Sequence, residues 1–230
     1  MARTVRATAR AARTFVLHAY PADHRGIPHD RVPEALRTEQ AMIRWADAPG
    51  LIDDQLSRKE FAEVYAEAYF EDSRRERGQN IGSLWRFLRE MQIGDIILMP
   101  RHGTDQFYIG RVVSPLWFEP RWRRQGTAFR RQVAWLNDKR PFSRRGVPRS
   151  LRHVLSTGPT CKSADRYLNE IISLLGQSWT RAAQNQHPIT SGNGAIGTFT
   201  PEFTGTRQPV AAREYIADVH HGRYANSLQE

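Results

Sequence analysis

The pattern of apolar and polar positions predicts several short strands with a few helices between them. Runs rich in β-branched and aromatic residues predict strands, because these side chains suit a half-buried pleated surface. The predicted strands are TFVLHAY (14–20), AMIRWAD (41–47), IILMP (96–100), QFYIGRVVSP (106–115) and VAWLN (133–137), the last with a partner around HVLSTG (153–158). Gly110 interrupts the fourth strand, which indicates a bulge or a close approach of another group to the backbone.

Three segments repeat apolar residues at the spacing of a helix face. The first is predicted to begin at Ser57, which caps a helix while Glu60 completes a capping box. The second is predicted to follow the charged loop RRERGQN, with Asn80 or Ser83 as its cap. The third is predicted to begin at a Ser163 cap.

The second helix runs into the third strand through a very short joint, in the stretch LWRFLREMQIGDIILMP (84–100). A glycine at the helix end and an aspartate in the turn, here Gly94 and Asp95, are what a helix needs to stop and fold back onto a sheet. Short strands and few helices without regular alternation indicate an α+β fold. We expect a compact, strongly bent mixed β-sheet or barrel with flanking helices.

The chain has 230 residues and is 40% hydrophobic, which suffices for one core of ordinary size and an extended tail. Residues 1–12 are basic and free of acid, so they predict a disordered arm, with an organellar transit peptide as the alternative. The main domain is expected over 13–180 and a mostly irregular tail over 181–230. No apolar run approaches the roughly 20 residues that cross a bilayer. A cytoplasmic protein without a membrane partner is therefore expected.

Charge points to a polyanionic partner. Lys and Arg total 34 against 24 Asp and Glu, which gives a formal net charge of +10. Nearly all of the positive charge is arginine, whose planar fork suits bidentate contacts with phosphate and guanine. A GC-rich genome also favours arginine codons, and this second explanation stays open.

The sequence offers little for catalysis. Asp53, Asp54 and Glu60 lack the strand-borne acid-x-Lys pattern of a metal-dependent nuclease, and the histidines show no ligand spacing. The single cysteine, Cys161, has no adjacent base in sequence, and GNGAIG (192–197) lacks the context of a phosphate loop. We therefore expect no enzyme, no metal and no cofactor.

Binding is better supported, because aromatic residues alternate with arginines over 108–152. Aromatic rings can stack on an unpaired base while arginines hold the phosphates. The stretch WFEPRWRRQ is the best candidate for a contact loop, since two tryptophans among three cations cannot all be buried. The residues predicted to contact the nucleic-acid backbone are Arg111, Arg121, Arg123, Arg124, Arg130, Arg131, Arg144, Arg145, Arg149 and Arg152.

The order of several segments resembles a known domain. These segments are AMIRWAD, SRKEF, SLWRFLREMQIGDIILMPRHG, FYIGRVV, RRQVAWLN and LSTGPTCKSA, within about residues 13–175. They resemble the N-terminal sensor domain of predicted Mrr-type restriction endonucleases, which looks like a divergent EVE domain of the PUA-like superfamily. Trp85-Arg86-Phe87, Gly94-Asp95 and Gly110 carry most of the resemblance.

The resemblance implies a PUA-like fold with a pocket that accepts a flipped, modified base. By position, the pocket residues would be Asn80, Ile81, Ser83, Trp85, Pro100, Tyr108, Trp117 and Phe118. Two departures matter. The chain has Ser114-Pro115-Leu116-Trp117 where the family has Gly-x-Tyr. The resemblance does not extend to the nuclease domain that normally follows, so a reader without that domain is expected.

Three functions are consistent with these residues. The first is a DNA-binding reader of modified bases in restriction or antiviral defence, which acts by base flipping and relies on a partner nuclease or effector chain. The second is an RNA-binding PUA-like protein, because the same charges and aromatic rings suit unpaired bases in RNA. The third is a degenerate nuclease, which metal-dependent cleavage by the pure protein would reveal.

Overall fold

A computed structural model describes residues 10–19 and 29–185 of the chain. Residues 12–171 form one compact unit. The strands in the described part of the chain are β1 (Thr14–Leu17), β2 (Gln40–Ile43), β3 (Ile96–Pro100), β4 (Gln106–Val112), β5 (Trp117–Phe118), β6 (Phe129–Trp135), β7 (Phe142–Ser143) and β8 (Cys161–Ser163). The α-helices there are α1 (Val32–Thr38), α2 (Arg58–Ala68), α3 (Arg74–Trp85), α4 (Arg149–Ser156) and α5 (Leu168–Asn185).

The strands form one eight-stranded mixed sheet that curls into a half-barrel. Its order is β2-β6-β4-β3-β1-β8, with β5 beside β6 and β7 beside β4. β1 and β3 are parallel, and the other pairs described are antiparallel. The predicted α+β class with a bent mixed sheet is confirmed.

The sheet buries side chains on both faces, as the alternation of a strand requires. On one face, Phe15 and Leu17 of β1 join a core shared with residues of α1, α2 and α3. Val16 and Leu98 are equally buried but lie outside that core. They belong to the other face, where α4 lies against β3 and buries Leu151 and Leu155.

The joint between α3 and β3 has the predicted glycine and aspartate. The helix continues past α3 as a short π-helix (Arg86–Glu90), which ends where the Met91 N–H donates to the Arg86 carbonyl at 2.8 Å. Gly94 then has φ +92. The carboxylate of buried Asp95 accepts the backbone N–H groups of Arg13 and Gln92, both at 2.9 Å. Asp95 therefore fastens the end of the helix to the start of β1.

The strand predictions hold for β3 and require correction elsewhere. β1 ends at Leu17 and β2 ends at Ile43, because Trp45 turns the backbone to φ +80. The predicted partner strand at 153–158 is wrong, since most of that segment belongs to α4, whose Leu151 and Leu155 are buried at helical spacing. β6 instead pairs with β2, β4 and β5.

The helix predictions hold best where the signal is local. Ser57 and Glu60 form the predicted capping box of α2. The prediction of a loop before α3 is wrong, because Ser73 and Glu76 form a second capping box and RRERGQN is helical. The third cap is also wrong, because Ser163 lies in β8 and α5 follows a separate short turn.

The two predicted irregular termini fall mostly outside the described residues. Of the predicted arm, only residues 10–12 are described. Of the predicted tail over 181–230, the structure describes 181–185, and these residues continue α5.

Candidate nucleic-acid interface

Residues 139–164, here called the basic segment, carry seven lysines and arginines and no aspartate or glutamate. The segment folds into β7, a short 3₁₀ turn (Arg144–Gly146), α4 and β8. The residues that supply its charge are Lys139, Arg140, Arg144, Arg145, Arg149, Arg152 and Lys162. A stretch of this length without acid concentrates positive potential on the surface it forms.

Helix α4 carries two exposed arginines of the basic segment. Its apolar residues face the sheet, whereas Arg149, Arg152 and His153 are exposed. The Arg152 guanidinium donates to the carbonyls of Arg144, Arg145 and Val147, at 3.0, 3.2 and 3.3 Å. Arg152 therefore holds the turn before α4. A phosphate at its predicted contact would compete with these three carbonyls for the guanidinium.

The remaining arginines of the basic segment differ in how far they are engaged. Arg145 is 86% exposed and lies 3.5 Å from the Asp105 carboxylate. Arg144 is half-buried and donates to the Arg101 carbonyl at 2.8 Å. The side chains of Arg140 and Arg149 are exposed and make no hydrogen bond or ion pair with the described residues. These last two side chains are the ones best placed to meet a phosphate.

A second basic surface follows β5, at a 3₁₀ turn (Pro120–Trp122). Arg121, Arg123 and Arg124 are exposed there, as the sequence predicts. Arg121 lies 3.5 Å from Glu119, and Arg123 lies 3.3 Å from Asp47. Both ion pairs are exposed and of the kind that contributes little to stability, so they leave the arginines available to a polyanion.

Three of the predicted phosphate contacts need correction or reassignment. Arg130 is fully buried and donates to Glu34 at 2.7 Å and to Gln40 at 2.8 Å. Arg131 is 4% exposed and bonds main-chain carbonyls. Neither guanidinium faces solvent, so the prediction of a phosphate contact is wrong for both. Arg111 is half-buried in β4 and engaged within the fold.

The eight residues predicted to line one base pocket fall in three places. Asn80, Ile81, Ser83 and Trp85 lie in α3, Pro100 and Tyr108 lie buried in β3 and β4, and Trp117 and Phe118 form β5. The prediction assumed that α3 begins near Asn80. Because α3 begins at the Ser73 cap instead, these residues lie in its second half.

Most of the eight already have partners within the fold. The Asn80 amide donates to the Tyr65 hydroxyl at 3.0 Å and to Asp72 at 2.9 Å. Trp85 packs edge-to-face on Phe61. Trp117 is half-buried in the two-residue strand β5. Unlike the other aromatic residues of the eight, Trp117 is not packed against the core of the described residues.

A cavity formed by the described residues lies at the end of the helix, beside the joint. This joint cleft has a volume of about 650 Å³. Its lining residues are Ile52, Asp53, Asp54, Leu88, Arg89, Met91, Gln92, Ile93, Pro115, Leu116 and Arg131. None of the eight predicted pocket residues is among them, although Leu116 directly precedes Trp117.

Two arginines build the wall of the joint cleft. Arg131 donates from Nε to the Phe87 carbonyl at 3.0 Å, and Arg89 donates to the Leu51 carbonyl at 2.9 Å. Burial lowers the pKa of Arg131 to about 10. Helix-end carbonyls lack partners within the helix. Arg131 and Arg89 donate to carbonyls of this kind, and these hydrogen bonds fix the shape of the cleft.

The polar groups left to a ligand in the joint cleft are mainly acceptors. Asp53, Asp54 and Gln92 are exposed at its rim, and Ile52, Leu116 and Ile93 supply apolar surface. Carboxylates accept from the exocyclic amino groups of bases, of which cytosine N4 is an example. From the sequence, the two aspartates are considered only as metal ligands, because their place beside the end of the helix is set by the fold.

Catalytic chemistry finds no support among the described residues. They contain no group of three or more His, Cys, Asp or Glu side chains that could hold a metal ion. Cys161 is fully buried, and burial raises the pKa of its thiol to about 12. Such a thiol is a poor nucleophile at neutral pH.

None of the described helices is long and apolar enough to cross a membrane.

One family model matches the chain. It is that of DUF8426, a domain of unknown function, and it matches residues 28–156, more than half of the 230 residues. The matched range includes the joint cleft and most of the basic segment. No curated protein and no solved structure matches the chain.

Proposed function

The chain belongs to the DUF8426 family, and we propose that it binds nucleic acid, with double-stranded DNA as the first candidate. The observation that carries this proposal is the basic segment: seven cations and no acid, folded at one end of the sheet. Arg140 and Arg149 provide exposed charge that the described part of the fold leaves unpaired. Unpaired arginines of this kind release counterions when they neutralise phosphates, which drives sequence-independent binding.

The test is a fluorescence-anisotropy titration of the full chain with a plain DNA duplex and an RNA hairpin at two salt concentrations. Replacement of Arg140 and Arg149 with alanine removes two positive charges from the basic segment. The loss of two phosphate contacts should lower the affinity for DNA and make the slope of log K against log salt shallower by about 1.8.

A matched control separates a specific surface from bulk charge. Arg74 and Arg75 are exposed in the first turn of α3, so their double alanine variant removes the same charge elsewhere. That control should keep nearly all of the affinity. Equal losses in the two variants, or no binding by the wild type, would contradict the proposal. Tighter binding to the hairpin would favour the RNA-binding alternative.

Modified-base reading is the narrower form of the proposal, and the joint cleft supports it. The cleft has apolar surface and carboxylate acceptors, and Leu116 in its lining directly precedes Trp117. The exposed Arg121, Arg123 and Arg124 follow in the next turn, where they can hold the phosphates that flank an extruded base. In this form the protein acts as a reader, and cleavage or signalling belongs to a partner nuclease or effector chain.

The reader proposal is tested with matched duplexes that carry plain, methylated, hydroxymethylated or glucosylated cytosine. Stacking contributes about 1–3 kcal/mol per base, so Trp117→Ala should reduce a preference for one modified duplex by tenfold or more. Affinity for the plain duplex should change little. Phe70→Ala is the matched control, because Phe70 is 72% exposed and lies outside the cleft lining. Equal binding of all four duplexes by the wild type would rule out the reader.

A further inference from the structure

Four basic side chains from separate segments lie together where β1 ends. They are His18 after β1, His102 in the turn between β3 and β4, Arg144 after β7, and Lys162 in β8. Two hydrogen bonds to backbone carbonyls fix the arrangement. The His18 N–H donates to the Thr160 carbonyl at 2.8 Å, and the Arg144 guanidinium donates to the Arg101 carbonyl at 2.8 Å.

The positive charges of the neighbouring groups act on His18. Burial lowers the pKa of His18 to about 4, and the positive charges of Lys162, Arg144 and His102 contribute to the shift. Burial also lowers the pKa of Lys162 to about 8. The positive charges of its neighbours thus make it harder for His18 to hold a proton, a situation that a bound anion relieves.

Within the described part of the chain, several nitrogen atoms of His18, Arg144 and Lys162 have no partner. Nε2 of His18 and Nε of Arg144 are buried and make no hydrogen bond. The Lys162 ammonium makes no ion pair or hydrogen bond with the described residues. Buried polar groups are nearly always hydrogen-bonded, so unpaired nitrogen atoms on neighbouring segments call for a ligand with several acceptor oxygens.

The surrounding loop leaves room for the Lys162 ammonium. Gly158 has φ +101, and a Cβ at that position would lie 2.9 Å from Lys162 Nζ. The carboxylates of the adjacent segments are engaged by other arginines, Asp30 by Arg101 at 3.1 Å and Asp105 by Arg145 at 3.5 Å. Neither Arg144 nor Lys162 therefore makes an ion pair with a carboxylate of the described residues, although the charge of Asp105 acts on Arg144.

We propose that His18, Arg144 and Lys162, with His102 at the edge, form a binding site for a phosphate group. We call this the His18 site. A phosphate group presents several acceptor oxygens and up to two negative charges, which match the unpaired nitrogen atoms and the local excess of cations. The group is either a free phosphate ion or the terminal phosphate of a nucleic-acid strand. The site goes beyond the proposed function, because a free ion requires no contact with nucleic acid.

The first experiment titrates inorganic phosphate into the full chain at constant ionic strength and follows the histidine ring resonances by NMR. The His18 signals, assigned from their loss in His18→Gln, should shift and saturate, and the pKa of His18 should rise. Absence of any saturable shift of His18 would overturn the site. This measurement uses the wild-type protein and so does not depend on the folding of a variant.

Variants then test the composition of the site by calorimetry with inorganic phosphate. Lys162→Gln should weaken phosphate binding at least tenfold. Lys59→Gln removes the same charge from an exposed lysine of α2 that is paired with Glu63, and it should leave binding unchanged. Equal affinities of the two variants would overturn the assignment of Lys162.

Two DNA duplexes, one with 5′-phosphate ends and one with 5′-hydroxyl ends, distinguish the sources of the phosphate. A preference of fivefold or more for the phosphorylated ends that is lost in Lys162→Gln would assign the site to a strand terminus. Equal binding of both duplexes, together with saturable binding of inorganic phosphate, would assign it to the free ion. Failure of the nucleic-acid proposal would appear separately, as no binding of the 5′-hydroxyl duplex.

Discussion

The guanidinium carbon of Arg130 lies 4.3 Å from the centroid of the Trp122 ring. Arg130 is fully buried, and Trp122 is half-buried above it. The tryptophan that the sequence placed on a contact loop therefore covers an internal cation. Beneath the ring, the same guanidinium reaches Glu34, Gln40 and Thr127. Arg130 thus anchors the loop WFEPRWRRQ to the core.

Loss of the Arg130 side chain should destabilise the fold strongly. Arg130→Ala leaves the Glu34 carboxylate, only 10% exposed, without its 2.7 Å partner, so that Arg31 at 3.3 Å is the one cation still paired with it among the described residues. Removal of one partner of a buried ion pair costs about 3–5 kcal/mol, and we expect a loss of that size in the free energy of unfolding, measured by urea titration.

Arg124→Ala is the matched control for Arg130→Ala. Arg124 is exposed and has no partner among the described residues, so its free energy of unfolding should change by no more than about 0.5 kcal/mol. Arg130→Lys should not restore stability, because an ammonium cannot reproduce the planar fork. A small effect of Arg130→Ala would mean that the buried network contributes little.

Two glycines should respond in opposite directions to replacement with alanine. The close approach predicted at Gly110 is confirmed, because a Cβ there would lie 2.3 Å from Val133 Cγ1 and 2.9 Å from Trp135 Cε3. Gly110→Ala should therefore destabilise the protein by about 1–3 kcal/mol or more.

Gly78→Ala is the comparison, since Gly78 lies inside α3 and a Cβ there would meet nothing within 4 Å. It should stabilise the protein by up to about 1 kcal/mol, because alanine favours the helix. Thermal unfolding of the two variants in parallel measures both. Equal signs for the two changes would contradict the packing around Gly110.

The thiol of Cys161 should react only when the protein opens. Cys161 is the single cysteine, it is fully buried, and burial raises its pKa to about 12. A thiol reagent such as Ellman's reagent should label the native chain slowly and the urea-unfolded chain at once. Fast labelling of the folded protein would show that β8 opens locally.

His18 should make the fold sensitive to mild acid. The unfolded side chain takes up a proton near pH 6.5, whereas native His18 stays neutral down to about pH 4. The unfolded state therefore binds more protons between these values, and stability falls as the pH drops through that window by up to about 1.4 kcal/mol per unit. Below pH 4 both states are protonated and the loss levels off.

The measurement compares urea unfolding of wild type and His18→Gln from pH 7 to 4 in a phosphate-free buffer. The difference between their free energies should change across the window, whereas the exposed His153→Gln variant should run parallel to the wild type. A constant difference between wild type and His18→Gln would contradict the burial of a neutral ring.

Local signals in the sequence specified local structure. The Ser57–Glu60 capping box, the buried strand IILMP and the Gly94-Asp95 turn all formed as predicted. The Ser73–Glu76 capping box carried the same signal, but the glycine and charges of RRERGQN obscured it. These features depend on interactions between residues a few positions apart, which a sequence displays directly.

The tertiary structure decided which arginines are buried and which side chains meet. Glu34 and Gln40, which hold Arg130, lie 96 and 90 positions away in the chain. The His18 site likewise combines residues from separate segments. An arginine in a basic stretch looks the same in sequence whether its partner is water or a distant carboxylate. Only the curl of the sheet brings that partner close, and so only the fold separates structural arginines from those left for a ligand.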